Sequence, residues 1–565
     1  MNSKSLYIEK MLRRSTDNLS SCRLVFIVAV ACCPTGAASA QSPVSFPDTA
    51  AIRRHVNVLA HDSLEGRGTG TRGGAKAADY LERALSTMGL VGGAPDGSFR
   101  QPVPVHAATP LSAVMTIVSS GDTARPRLWE DVLLLSSGIQ ANLPVATPLI
   151  FAGYGIIAPE FDYNDYRSID VRGSVVVMLA GEPPSDDPGY FDGHRLTIHA
   201  ALHRKVEVAL SRGARGTILI PTPRDPIFRD WEHWRRELRL EDVRLAYGIP
   251  EQFHALLRAQ AAPLIFNGAS LTLEEILDRD AAGGMRSMKL ESTITLEATF
   301  VERDALAHNI AAIIPGSDPT LAASTVIVGA HYDHLGIGDP VNGDSIYNGL
   351  FDNALGCAVA LDMARYLSER QRRPRRSVMF LFFTGEEKGL LGSKVYVADP
   401  FRPLATTSAM INIDGVAGFE QFRSIIPVGG GLSTLDVAVS AVAERHGLTV
   451  DTIPSVFLEG DPLSSSDHWP FIEAGVPSLL VLEGLQYAST PYEEGLQRFI
   501  EWGIRAYHQP QDDLRQPVCY AAVGQHAAVM LDLILEVADS DAVPEWYSGS
   551  PYATARLRAQ AGAKR

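Results

Sequence analysis

Apolar and polar positions change rhythm along the chain. From residue 305 onward, short continuous apolar runs alternate with amphipathic ones. "TVIVGAH" (325–331), "SVMFLFF" (377–383), "AMINI" (409–413) and "PSLLVLE" (477–483) predict strands buried on both faces. Between them, "NALGCAVALDMARYLSER" (353–370) and "LSTLDVAVSAVAERHG" (432–447) place apolar residues at helical spacing, and "AAVGQHAAVMLDLILEVAD" (521–539) reads as a long closing helix. Buried strands alternating with helices predict an α/β fold, a mainly parallel mixed sheet sandwiched by helices.

Two earlier stretches differ. Residues 51–93 predict helix, glycine-rich loop, helix; the loop "EGRGTGTRGG" (65–74) resembles a phosphate cradle, but no apolar strand precedes it. Between about 131 and 295, β-like runs such as "TPLIFAGYGI", "GSVVVMLA" and "GTILIP" are joined by Pro/Gly/Asp loops and one helical piece, "AALHRKVEVALSRGA". This reads as a separate β-rich unit without clustered catalytic candidates, suited to binding or covering. The expected divisions are a leader over 1–40, a first segment over 41–130, the β-rich unit over 131–295, the alternating α/β region over 296–545, and a frayed Ala/Arg-rich tail over 546–565. A basic run, "RQRRPRR" (370–376), is expected to be a solvated connection between helix and strand.

Length alone favours more than one core, since 565 residues exceed an ordinary single domain. A net charge of −15 disfavours a nucleic-acid partner, which needs a basic face. The first forty residues carry a different message. Five basic residues precede "LVFIVAVACC", and "ASAQ" follows, the pattern of an export signal cut after Ala40. The expectation is a periplasmic or secreted protein with no stable membrane insertion once that signal is removed; Cys32 also raises a lipoprotein reading, with a poor lipobox. Cys357 and Cys519 then remain as two thiols rather than a disulfide framework.

The candidate chemistry collects at predicted strand ends, where open α/β sheets form their sites. "AHYDHLG" (330–336) ends the first strand of this region. His331 and Asp333 are two apart and share a face, so Asp333 could orient His331 as a metal ligand. His334 would project the opposite way or enter the loop. Glu386 and Glu387 follow the apolar "FLFF", where one could bind a metal while the other takes a proton from water, or both could simply favour a helix N-terminus. Asp352, Asp414 and His508 supply further oxygen and nitrogen donors of the kind zinc accepts.

"NIAAIIPGS", "VIVGAHYDHLG", "DNALG", "TGEEKGLLGS", "INIDG", "SSSDHWPF…GVPSLLV" and "YHQPQDD" occur in that order over residues 305–535. Together they resemble the co-catalytic di-zinc aminopeptidases of the leucyl-aminopeptidase and glutamate-carboxypeptidase superfamily. "FAGYGI…YNDYRSIDVRGSVVVML…ALSRGARGTILI" is similar to the protease-associated domain often inserted in that family. The resemblance implies two zinc ions per chain. Asp352 would bridge them, His331 and Asp414 would complete one site, and Glu387 and His508 the other. Glu386 would be the general base and Asp333 the partner of His331, while Asp467 and His468 are left outside the metal shell. Peptides with a free N-terminus are the implied substrates; a carboxypeptidase or dipeptidase of the same superfamily, or a receptor-like binding protein, are the alternatives. The chain departs from the usual pattern at Leu355, where a small polar residue is common, and at the bulky "NGLF" before Asp352.

Overall fold

The computed structural model describes residues 45–563, except 136–137, 139–140, 194–195, 224–230, 248–251, 283–284, 455–456 and 458–460. The expected leader, with Cys22, Cys32 and Cys33, lies outside the described residues. Six strands open the architecture: β1 (Arg100–Ser119), β2 (Leu143–Phe151), β3 (Val175–Leu179), β4 (Gly216–Ile220), β5 (Phe253–Leu257) and β6 (Met288–Ile314). Five more follow: β7 (Thr325–His331), β8 (Ser377–Phe383), β9 (Thr407–Asn412), β10 (Ser424–Val428) and β11 (Ser478–Glu483).

These strands join one long sheet in the order β10-β11-β9-β7-β8-β6-β2-β3-β4-β5. Strands β11, β9, β7 and β8 are parallel neighbours, flanked by antiparallel β10 and β6. The alternation of the apolar strands explains why the sheet is covered twice. Val326, Val328, Val378, Phe380 and Phe382 face one core, packed by helices Thr49–Leu59, Leu355–Glu369 and Tyr520–Asp539. Ile327, Met379, Leu381 and Phe383 face the other, with Tyr396 and Phe471. Successive residues on a strand point to opposite faces, so a strand apolar at every position needs a layer on each side. This is the expected α/β fold. Helix Tyr520–Asp539 is long and apolar enough to cross a membrane by composition, but it packs in the core of the sheet.

The insert also contains a parallel core, β2-β3-β4-β5, with helices at Leu202–Ser211, Trp231–Arg239 and Leu273–Ala282. It is therefore an α/β unit in its own right, richer in helix than the short apolar runs suggested. Its two connections are β1 and β6, which pair antiparallel from Arg100↔Ile310 to Val118↔Thr293 as a long ribbon; Asp242–Leu245 adds to its β1 side and β2 to its β6 side. The lower end of β6 stays in the main sheet, where Ile310–Ile314 pairs with β8.

Two expectations are corrected. Arg376 is not part of a solvated connection: it is wholly buried and donates to the carbonyls of Val537 and Ala542, while its Nη1 also bonds Ser540 O at the end of helix Tyr520–Asp539. A cation there satisfies carbonyls that a helix C-terminus leaves open. The tail is not frayed but forms helix Tyr552–Ala563, tied down by Arg556 Nη1 to Leu404 O at 2.7 Å and Trp546 Nε1 to Gly475 O at 2.8 Å. Cys357 and Cys519 are both free thiols, the first buried and the second half-buried.

Candidate metal centre

Register brings the polar groups to one edge. His331 ends β7 opposite Phe383, the last residue of β8, and Gly329 lies opposite Asn412, the last of β9. Glu386 and Glu387 therefore emerge beside His331, and Asp414 emerges on its other side. Asp352 arrives from the turn ahead of helix Leu355–Glu369, within which the Asp352–Asn353 peptide is cis. Gly349, at φ +60°, lets that turn pass directly against the His334 ring, where any β-carbon would clash.

The buried side chains meet in two overlapping groups. His331 Nε2 lies 3.1 Å from Asp352 Oδ1 and 3.4 Å from Asp414 Oδ1. His508 Nε2 lies 3.5 Å from the other oxygen of Asp352 and 3.1 Å from Glu387 Oε2. Asp352 thus stands between both histidines. His331, Glu386 and Glu387 also offer donor atoms within 4.8 Å of one another. Asp333 is behind His331: its carbonyl is 3.2 Å and its carboxylate 3.8 Å from Nδ1. All seven side chains proposed from the sequence, His331, Asp333, Asp352, Glu386, Glu387, Asp414 and His508, are brought to this one place.

Other residues join them. His334 is fully buried, its Nδ1 2.7 Å from Glu387 Oε1, and with Asp352 and Glu387 it makes a further potential donor group. Thr69 Oγ1 donates to Asp333 Oδ2 at 2.8 Å, and Glu386 N donates to Asp333 Oδ1 at 3.1 Å. Ser466 Oγ donates to Asp414 Oδ2 at 2.6 Å. Asp512 accepts the backbone N–H groups of Phe351 and Asp352, fixing the turn that carries Asp352. The glycine-rich loop is wired into the centre rather than cradling phosphate: buried Arg67 donates to the carbonyls of Tyr332, Leu59 and Gly349. Trp502 packs among Phe351, Phe419 and Phe499, and Tyr507 stacks on the His508 ring at 4.0 Å.

The electrostatics are those of a cation site. Burial alone would lower the His331 pKa, but Glu386, Asp414 and Asp352 raise it well above the ordinary value. His508 is raised in the same way against burial, chiefly by Glu387 and Asp352. Burial would raise the Asp352 carboxyl, yet the two imidazoles hold it well below its usual range. Burial and Asp352 both oppose ionisation of Glu387, and His508 and His334 nevertheless bring it to about 2.

Whether the residues suit a metal can be tested on their unmet bonding capacity. His331 Nε2, His508 Nε2, Asp352 Oδ1 and Glu387 Oε2 are buried and make no hydrogen bond, although they converge within a few ångströms. Buried polar atoms without partners are costly, and a divalent cation between them would satisfy all four. Imidazole and carboxylate together suit zinc. The donor set fits.

What these parts define is a buried imidazole–carboxylate cluster, with donors that fit a metal, at the carboxyl edge of an α/β sheet. Residues 309–534 match the model of peptidase family M28. Leupeptin-inactivating enzyme 1 of Streptomyces exfoliatus is 30% identical over 231 residues, 39% of this chain and 46% of that protein. A probable leucine aminopeptidase of Trichophyton verrucosum is 28% identical over 239 residues, 41% of this chain and 58% of that one. The chain thus spans about half the length of these curated relatives. The fold extends further than the sequence likeness. An aminopeptidase from Aneurinibacillus sp. strain AM-1 superposes with a TM-score of 0.53 over 88% of this chain and 95% of its own, at 17% identity.

Proposed function

We propose that the protein is an exported zinc aminopeptidase that removes N-terminal residues from peptides. The observation that carries this reading is the convergence of His331, Asp352, Glu387 and His508, each with a buried atom that makes no hydrogen bond, beside Asp414. Relatives named as aminopeptidases support the substrate class. Asp352, with an oxygen facing each histidine, would be shared between two zinc ions; His331 and Asp414 would hold one and Glu387 and His508 the other. Zinc in such a pair polarises the scissile carbonyl and acidifies water. Glu386 takes the proton from the attacking water and passes it to the departing amine. Asp333 steadies His331, and His334 steadies Glu387, so that both ligands present fixed atoms. We read the insert as a protease-associated domain and the charged, apolar and small-residue succession of residues 1–40 as an export signal.

The test is a panel of chromogenic aminoacyl substrates beside N-blocked peptides, with and without a chelator. Cleavage confined to free-amine substrates, lost on chelation and restored by zinc, is the expected result. Equal turnover of N-blocked peptides would replace the aminopeptidase reading with a carboxypeptidase or endopeptidase one.

A further inference from the structure

The two histidines of the centre differ in what stands behind them. His331 has its outer nitrogen against Asp333, two residues away in its own motif. His508 has no such neighbour in sequence. What faces its outer nitrogen is Glu237, whose Oε1 lies 3.6 Å from His508 Nδ1. Glu237 belongs to helix Trp231–Arg239, which is part of the insert and 271 positions from His508. His508 Nδ1 makes no hydrogen bond, so Glu237 is the carboxylate placed to take its proton.

The helix is held over the centre from several sides. Arg239 Nε pairs with Asp339 Oδ2 at 3.0 Å, in the hairpin that follows His334. Leu240 packs with Leu335 and Tyr347 of the catalytic unit. Glu241 is paired with Arg303 on the ribbon, and Asp242–Leu245 pairs with β1 from Asp242↔Ala108 to Leu245↔Val105. On the other carboxylate oxygen, His233 Nε2 of the same helix lies 3.3 Å from Glu237 Oε2. His233, Arg236, Glu237 and Leu240 line a small cleft with His508 and Tyr347.

We infer that Glu237 is a positioning residue for His508, so that the insert completes the metal centre. A carboxylate on Nδ1–H fixes the tautomer that leaves Nε2 free as a ligand, and it sets the ring plane. The inference rests on the metallopeptidase reading and deepens it. The insert, on this view, is needed for metal retention at one of the two positions and not only for contact with substrate. Without the insert, the described partners of His508 are the stacked Tyr507 ring, the His334 ring edge, and Asp352 and Glu387 on Nε2, none of which faces Nδ1.

The experiment uses the full chain with Glu237→Ala and Glu237→Gln, and Arg239→Ala as a variant that loosens the helix without touching His508. Apo protein is titrated with Zn²⁺ against a chromophoric chelator and, in parallel, with Co²⁺ followed by visible absorption; apo unfolding curves check the fold. Glu237→Ala should weaken one of two ions by about 10- to 100-fold and alter one cobalt band. Glu237→Gln, whose carbonyl oxygen still accepts Nδ1–H, should recover most of that loss, and Arg239→Ala should stay within a few-fold of wild type. Wild-type affinity for both ions in Glu237→Ala would overturn the inference alone, as would equal loss of both ions in Ala and Gln variants. A wild-type chain that takes up no zinc would overturn the metallopeptidase reading and this inference together.

Discussion

The catalytic unit and the insert share a layout of parallel strands with polar side chains at one edge, and they differ in how the buried charges beside those strands are partnered. In the insert, Asp165 accepts from Tyr154 N, Ile156 N and Tyr163 OH, and Lys205 donates to Leu179 O and Gly181 O. Glu182 accepts from both the backbone and the hydroxyl of Thr197. Those charges are closed off by the chain itself. In the catalytic unit, His331, Asp352, Glu387 and His508 are just as buried, yet each aims an atom with no hydrogen bond at its neighbours. Buried charge is thus compatible with plain structure; buried charge left open at a strand edge is what marks chemistry.

Substitutions on the two sides should part in kind as well as size. The largest effect belongs to Glu386→Gln, which should cut turnover by about 10²–10⁴-fold while metal content by elemental analysis stays at the wild-type level. Activity above a tenth of wild type would remove Glu386 as the base. Next comes Asp333→Asn, which weakens the grip on His331 and should lower zinc affinity about 10- to 100-fold in chelator competition; an unchanged affinity would show that the Asp333 carbonyl alone is enough to hold the ring. The smallest effect lies in the insert. Burial raises the Asp165 carboxyl from 3.8 to about 6, against the hydrogen bonds it accepts. The folded state therefore holds a proton that the unfolded chain releases at lower pH, so Asp165 favours the fold at acid pH and that advantage fades as pH rises through 6. Stability of the insert against unfolding should fall by about 1 kcal/mol between pH 5 and 7, and Asp165→Asn should flatten that slope. A slope that survives the substitution would place the titration elsewhere.

The meeting of His331, Asp333, Glu386, Glu387 and Asp414 was legible because strand ends are, whereas Asp352 ahead of a helix and His508 after one came from the ordered motifs. An apolar run such as "SVMFLFF" announces where its strand stops, and the carboxyl edge of an α/β sheet is where the next polar residues gather. For His334 two directions stayed open, the opposite face or the loop, and the structure shows the second: the chain leaves the strand after His331, and the turn swings His334 toward Glu387. The partners of the ligands were illegible for a different reason. Thr69 meets Asp333 across 264 positions, Ser466 meets Asp414 across 52, and Glu237 comes from another unit altogether. Nothing in a polar residue's local sequence tells which distant carboxylate it will reach. Arg376 shows the same limit, since a run of arginines gave no sign that one of them would close a helix 161 positions later.

The ribbon of β1 and β6 has a consequence for how such a chain is assembled and exchanged. Entry and exit strands run side by side, with neighbours about 4.8 Å apart. Everything beyond Val118 and Thr293 hangs from adjacent ends, so another module could be spliced in at that point without rethreading the parent sheet. The catalytic unit is in this respect a socket. Its cost in evolution is that any replacement module must also bring its own equivalent of Glu237 to His508, or leave that ligand to stand alone.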